Sequence, residues 1–345
     1  MNPVATEDSV LDVPPRSLWR ALRDLAVSIV VVAAIALIVS FLSATSAHAQ
    51  GKAGAAKELR IGYQKSASLF VLQKAQGSLE KRLAPLGVGV KWVEFPAGPQ
   101  LLEGLNVGAV DVGYVGEAPP IFAQAAGAKF VYFGYDPAAP RAEAILVTKD
   151  SPIQSVADLK GRKVALNKGS NVHYLLVKQL EKNGLKFSDI QPVYLAPADG
   201  RAAFESRNVD AWVIWDPFQA AAEKATGARV LADGTPGVVS NYQYYLGERG
   251  FVKNNPKVIE ALFEDSVAQG IWLKKNLRQA AELIAPLQGL PVDVVELALR
   301  RYEFNVKPIT PEVAADQQRI ADTFYALKLI PKPIKVSDAV VAAQP

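Results

Sequence analysis

The chain has 345 residues, half of them apolar, with 38 basic and 34 acidic side chains, two His and no Cys. Without Cys there are no disulfides and no lipid-modified cysteine, so the folded part must hold together by its core alone. The charges are interspersed, without basic blocks, which reads as a solvated surface and not as a nucleic-acid-binding one.

Arg16, Arg20 and Arg23 precede an apolar run over residues 25–42, and small residues then lead to Ala47-His48-Ala49. A basic start, an apolar middle and an Ala-x-Ala end read as a secretory signal, residues 1–49, cleaved after Ala49. The competing reading is an uncleaved anchor, because the run is about long enough to span a bilayer; the Ala-x-Ala ending favours cleavage. No twin-arginine pair is present in residues 1–49. Removing three Arg and four acids with this segment leaves 35 basic and 30 acidic residues, a charge of +5.

After a small-residue stretch, strand 59–63 is followed by a helix over 66–83, strand 90–93, a helix over 99–106, strand 111–115, a helix from 119 and strand 130–133. Strands alternating with helices through short Gly- and Pro-bearing loops predict an α/β parallel sheet. The order returns about a hundred residues later: strand 163–166, a helix over 170–183 ended by Gly184, strand 192–195, a helix from 202, strand 210–215, a helix ending near Gly227, and strand 229–231. Asn106-Val107 before Asp111 is echoed by Asn208-Val209-Asp210. Two equivalent α/β lobes follow, with residues 50–143 and 245–345 forming the first and 144–244 the second. Residues 143–147 lead out of the first lobe and 244–246 return to it. Asn255-Pro256 and Thr310-Pro311 start C-terminal helices, expected to pack on the first lobe. A double crossing makes a hinge and places a ligand cleft between the lobes.

In open α/β sheets ligands sit beyond the carboxyl ends of the strands, where helix N-termini point. In the first lobe these loops carry Gln64, Lys65 and Ser66, then Gly98, Pro99 and Gln100, then Gly116 and Glu117. In the second they carry Ser170, Asn171 and His173, then Asp199, then Trp215 and Asp216. Unpaired N–H groups and a partial positive charge at helix starts suit an oxyanion, and Gly98 and Gly169 allow close backbone approach. Most of these residues also have a plain structural use. Ser170 and Asp199 are helix caps, Lys65 a solvated loop charge, Glu117 a dipole partner and Trp215 a core residue. His173, one turn into its helix, is assigned to the cleft in preference to the core.

Several chemistries are excluded. His173 is the only His beyond residue 49, so zinc sites built from His and Cys are out of reach. No Gly-x-Ser-x-Gly elbow lies near a strand end, and no Gly-x-Gly-x-x-Gly or P-loop follows a strand. A binding protein is expected, not an enzyme, with no cofactor and no metal.

Longer stretches carry a resemblance. Ile61-Gly62-Tyr63-Gln64-Lys65, Val93-Glu94-Phe95-Pro96-Ala97-Gly98-Pro99-Gln100 and Pro119-Pro120-Ile121-Phe122-Ala123-Gln124-Ala125 are similar to periplasmic aliphatic-sulfonate-binding proteins of ABC importers. So are Ser155-Val156-Ala157-Asp158-Leu159-Lys160-Gly161, Asp189-Ile190-Gln191-Pro192, Val209-Asp210-Ala211-Trp212 and Trp215-Asp216-Pro217. The resemblance spans residues 59–333. It implies a type II periplasmic-binding fold, a monomer that captures an alkanesulfonate in the periplasm for sulfur assimilation, and delivery to an ABC transporter permease. Gln100, Glu117, Ser170, His173, Trp215 and Asp216 fall in its motifs. Glu117, where the family often has Asp, and Asn171-Val172, where it has more Ser, depart from the pattern at pocket loops. Importers for taurine, nitrate or a thiamine-precursor pyrimidine would use the same fold, as would a membrane-tethered sensor.

Overall fold

Leu59 and Ile61 lie fully buried on one face of strand β1 (Glu58–Tyr63), the period-2 pattern of a sheet with one face on a core. In this computed structural model, which describes residues 56–341, β1 pairs in parallel with β2 (Gly89–Glu94) and β3 (Val112–Gly116). The signal reading at residues 1–49 lies outside the described residues. Helices α1 (Ser68–Gln76), α2 (Ser78–Leu83), α3 (Gly98–Asn106) and α4 (Ala118–Ala125) follow these strands, and β4 (Phe130–Asp136) ends the run. The single helix expected over 66–83 is broken at Gly77, whose φ of 60° is left-handed, a conformation that glycine adopts without steric cost.

The chain then crosses to a second sheet. β5 (Glu143–Val147) precedes β6 (Lys163–Leu166), helix α5 (Asn171–Lys182), β7 (Gln191–Tyr194), α6 (Pro197–Glu205), β8 (Ala211–Trp215), α7 (Phe218–Thr226) and β9 (Arg229–Asp233). α6 starts five residues before the expected position, with Pro197 pre-organised in its first turn. After β9 the chain returns through β10 (Gln243–Glu248). The two sheets share one plan: β2-β1-β3-β10-β4 and β7-β6-β8-β5-β9. In each, the fourth strand is antiparallel to its neighbours and is the one that has just crossed over. The crossings are therefore residues 137–142 and 234–242, a correction to the expected 143–147 and 244–246, which lie in strands β5 and β10. An antiparallel strand begins where its parallel neighbours end, so Glu143 lies opposite Trp215 and Gln243 opposite Gly116.

Helices α8 (Arg249–Asn254), α9 (Pro256–Lys275), α10 (Leu277–Gln288), α11 (Val292–Leu299) and α12 (Pro311–Ala326) complete the chain. α9 and α10 pack on α1 as expected, but α11 packs against α7 of the second lobe. On α12, Phe324 lies 4.9 Å from Phe122 in the first lobe and 5.6 Å from Tyr174 in the second. The C-terminal helices thus engage both lobes, a correction to the expectation of one.

A buried ion pair accompanies this. Arg301 Nη1 donates to both carboxylate oxygens of Asp216 at 3.0 Å, and its Nη2 donates to Glu223 at 2.5 Å. Asp216 is fully buried, and burial raises its pKa to about 6 despite Arg301. Removing one partner of such a pair leaves a desolvated charge, at a cost of about 3–5 kcal/mol. Arg301→Ala should therefore lower the unfolding free energy by about this much at pH 8. The loss should shrink at pH 5, where Asp216 without its arginine takes up a proton. Denaturant melts at both pH values check this, and an equal loss at each would contradict it.

Candidate functional site

Between the lobes lies a narrow cavity of about 30 Å³. Gln64 and Ser66 reach it from the turn after β1, Gly98 from the start of α3, Gly116 from the end of β3 and Pro119 from α4. Ser170 and Asn171 reach it from the start of α5, and Trp215 from the end of β8. The return crossing adds Asn241 and Gln243, and Tyr302 arrives after α11. Seven of the residues singled out in the sequence thus meet in one place. None of the lining side chains is charged.

Helix starts face this space. No side chain of their own N-cap residue caps α3, α4 or α5. Ser170 occupies the cap position of α5, yet its hydroxyl turns back and donates to Asn167 O at 2.7 Å. The cap expected of Ser170 is therefore not made, and the first turn of α5 keeps its unpaired donors toward the cleft. Gln64 is anchored by an Nε2 bond to Tyr114 O at 3.2 Å.

The other seven sit elsewhere. Asp199 is exposed inside the first turn of α6, whose cap position is Ala196, so the cap expected of it is not made. Lys65 does not line the space: its ammonium donates to Gln288 O at 2.7 Å, and Gln288 Nε2 donates back to Lys65 O at 2.5 Å. A cation at the C-terminal end of α10 is favoured by the helix dipole. Pro99 is half-buried in the first turn of α3, and Gln100 beside it is exposed. Glu117 is buried, its carboxylate accepting from Tyr242 N at 2.8 Å and its backbone carbonyl from Gln317 at 2.6 Å. Asp216 is held by Arg301. His173 faces the core and not the cleft, with Phe187 at 5.1 Å and Phe324 at 6.1 Å. Its Nδ1 accepts from Gly169 N at 3.3 Å, and burial, with Lys168 adding, lowers its pKa to about 4. It is neutral at ordinary pH and shapes the loop ahead of α5.

Sequence reasoning missed Asn241, Gln243 and Tyr302 as lining residues. Polar residues just ahead of an apolar strand were a usable signal for the first two. Tyr302 had none, because its position depends on how the C-terminal helices fold back. Glu143, opposite Trp215, is also fully buried, and burial together with Glu117 and Asp233 holds its pKa well above the carboxylate range.

Two α/β lobes of one plan, each completed by a crossing strand, with a cavity between them, define a type II periplasmic-binding fold. A family model described as NMT1/THI5 like matches residues 86–271. The chain belongs to the NMT1/THI5-like family. A relative from Escherichia coli K12, named as an aliphatic sulfonates-binding protein, is 46% identical over 303 residues, 88% of this chain and 94% of the relative. The alkanesulfonate-binding protein SsuA of Xanthomonas axonopodis pv. citri, solved bound to MOPS, is 42% identical with a TM-score of 0.80, over 84% of this chain and all of that one. The periplasmic aliphatic sulphonate binding protein SsuA of Escherichia coli is 47% identical with a TM-score of 0.76, over 84% of this chain and 93% of that one.

Glu117 yields a pH test. Burial raises its pKa from 4.5 to about 7, against the bond from Tyr242 that lowers it. A carboxyl with a raised folded-state pKa contributes fully below about pH 4.5, and that contribution is lost as pH rises to about 7. Glu117→Gln keeps an acceptor for Tyr242 N without the ionisation. It should melt like the parent at pH 4.5 and be more stable at pH 8, by up to about 3 kcal/mol. Equal stability at both pH values would show that Glu117 is not held in this way.

Proposed function

We propose that this protein is the solute-binding component of an ABC importer, capturing an aliphatic sulfonate in the periplasm and handing it, unchanged, to the membrane permease. The observation that carries this reading is a cleft between two lobes lined by neutral donors, helix starts and two aromatic rings. A sulfonate is ionised throughout the ordinary pH range and cannot lower its desolvation cost by taking up a proton. It needs several donors at once, each charge-assisted bond contributing about 1.5–3 kcal/mol. Ser66, Gln64 and the uncapped starts of α3 and α5 offer them, while Trp215 and Tyr302 offer apolar surface for an organic tail. MOPS, carried by one related structure, is itself a sulfonate with an organic tail. In this reading residues 1–49 are removed on export, the mature protein acts as a monomer, and lobes 50–143 with 245–345 and 144–244 close about the two crossings.

Isothermal calorimetry tests the reading. Alkanesulfonates should bind at least tenfold more tightly than nitrate, which lacks the tail, and than taurine, whose ammonium would face a cleft with no charged partner. Tighter binding of either would overturn it. Ser66→Ala and Gln64→Ala should weaken sulfonate binding about tenfold. Lys65→Ala should stay within about threefold, because that ammonium is already engaged at the end of α10 and an exposed ion pair is worth about 1 kcal/mol or less. Loss of binding in Lys65→Ala alone would replace donor recognition with an ion pair.

A further inference from the structure

Helix α4 opens as Ala118-Pro119-Pro120. Proline carries no N–H, so Ala118 is the only one of these three residues with a donor to offer. That donor is already taken: Ala118 N donates to Asn171 Oδ1 at 3.0 Å, from the first lobe to the second. Asn171 Nδ2 donates to Asn241 Oδ1 at 2.6 Å, and Asn241 Nδ2 donates to Ala139 O at 2.9 Å. Gln243 Nε2 reaches the same Asn241 oxygen at 2.9 Å. The run is anchored at both ends by backbone groups of fixed polarity, an N–H at Ala118 and a carbonyl at Ala139. Each carboxamide therefore has one allowed orientation. Ala139 lies in the outgoing crossing and Asn241 in the return crossing, so the run joins a helix start in each lobe to both hinge segments. Asn171 and Asn241 are both buried, where an unmade bond is costly.

We propose that Asn171 is the positioning residue for cleft closure: its carboxamide latches the second lobe to the start of α4, and the anion is thereby directed to the starts of α3 and α5. Gly116 is the structural complement of the latch. A Cβ at Gly116 would stand 2.2 Å from Asn171 Oδ1, so only glycine leaves room for the carboxamide. The assignment of the anion rests on the sulfonate reading; the latch itself does not.

Three variants of the purified protein test it: Asn171→Ala, which removes the carboxamide; Gly116→Ala, which displaces it from the other lobe; and the double variant. Circular dichroism melts establish that each is folded. Without sulfonate, X-ray scattering should give a larger radius of gyration for each variant than for the parent. With ethanesulfonate, each single variant should bind about tenfold more weakly through faster dissociation. The double variant should be no weaker than the weaker single, because both changes break one contact. A parent-like radius in Asn171→Ala, parent-like or tighter binding, or additive losses would each overturn the latch. If the parent itself binds no sulfonate, the ligand reading fails, while the radius comparison still decides the latch.

Discussion

Each sheet is completed by an antiparallel strand that arrives from the other lobe, and such a strand must begin where its parallel neighbours end. That topological constraint delivers the crossings to the cleft. It sets Gln243 beside Gly116 and Glu143 beside Trp215, and it brings Asn241 within reach of Asn171. The helix starts meet in the same place for the same reason, since each follows a parallel strand out of its carboxyl end. The cleft lining and the interlobe contact are consequences of one chain path.

The electrostatics follow from what stands at the rim and what is buried behind it. The lining is uncharged, so recognition of an anion falls to dipoles and hydrogen bonds, which a low-dielectric setting strengthens. Behind the lining, Glu117 and Glu143 are buried acids whose pKa values burial pushes upward, and Asp216 is tied to Arg301. Glu143 is held neutral and Asp216 is paired, so neither charge opposes an incoming anion. The segment after α11 contributes both Tyr302 at the cleft and Arg301 behind it.

Much of this was legible in the sequence, for identifiable reasons. The succession of strands and helices along the chain, the repeat of the two lobes and the cleft loops follow from short-range periodicity and from where Gly and Pro fall, whereas the antiparallel fourth strand of each sheet, where parallel pairing was expected, does not. Gln64, Ser66, Gly98, Gly116, Ser170, Asn171 and Trp215 were within reach because a residue at the end of a parallel strand has few places to go. Side-chain direction was not legible. His173 and Glu117 stand within a few residues of cleft positions, yet both turn inward, one against Phe187 and Phe324 and the other onto Tyr242. Lys65 was open until Gln288, more than two hundred residues away, supplied a carbonyl for it. Tyr302 and Arg301 depend in the same way on long-range packing, to which local pattern is blind.

The central claim is that an anion is held here by backbone N–H groups at helix starts, without a charged side chain. Amide chemical shifts of isotopically labelled protein, followed by NMR during an ethanesulfonate titration, test it most directly, because an N–H that donates to an oxyanion moves downfield. The account expects the largest downfield proton shifts at Gly98, Asn171 and Val172, with the Lys65 ammonium unchanged. Small shifts at those amides, with the main perturbation on a lysine or arginine side chain, would contradict it.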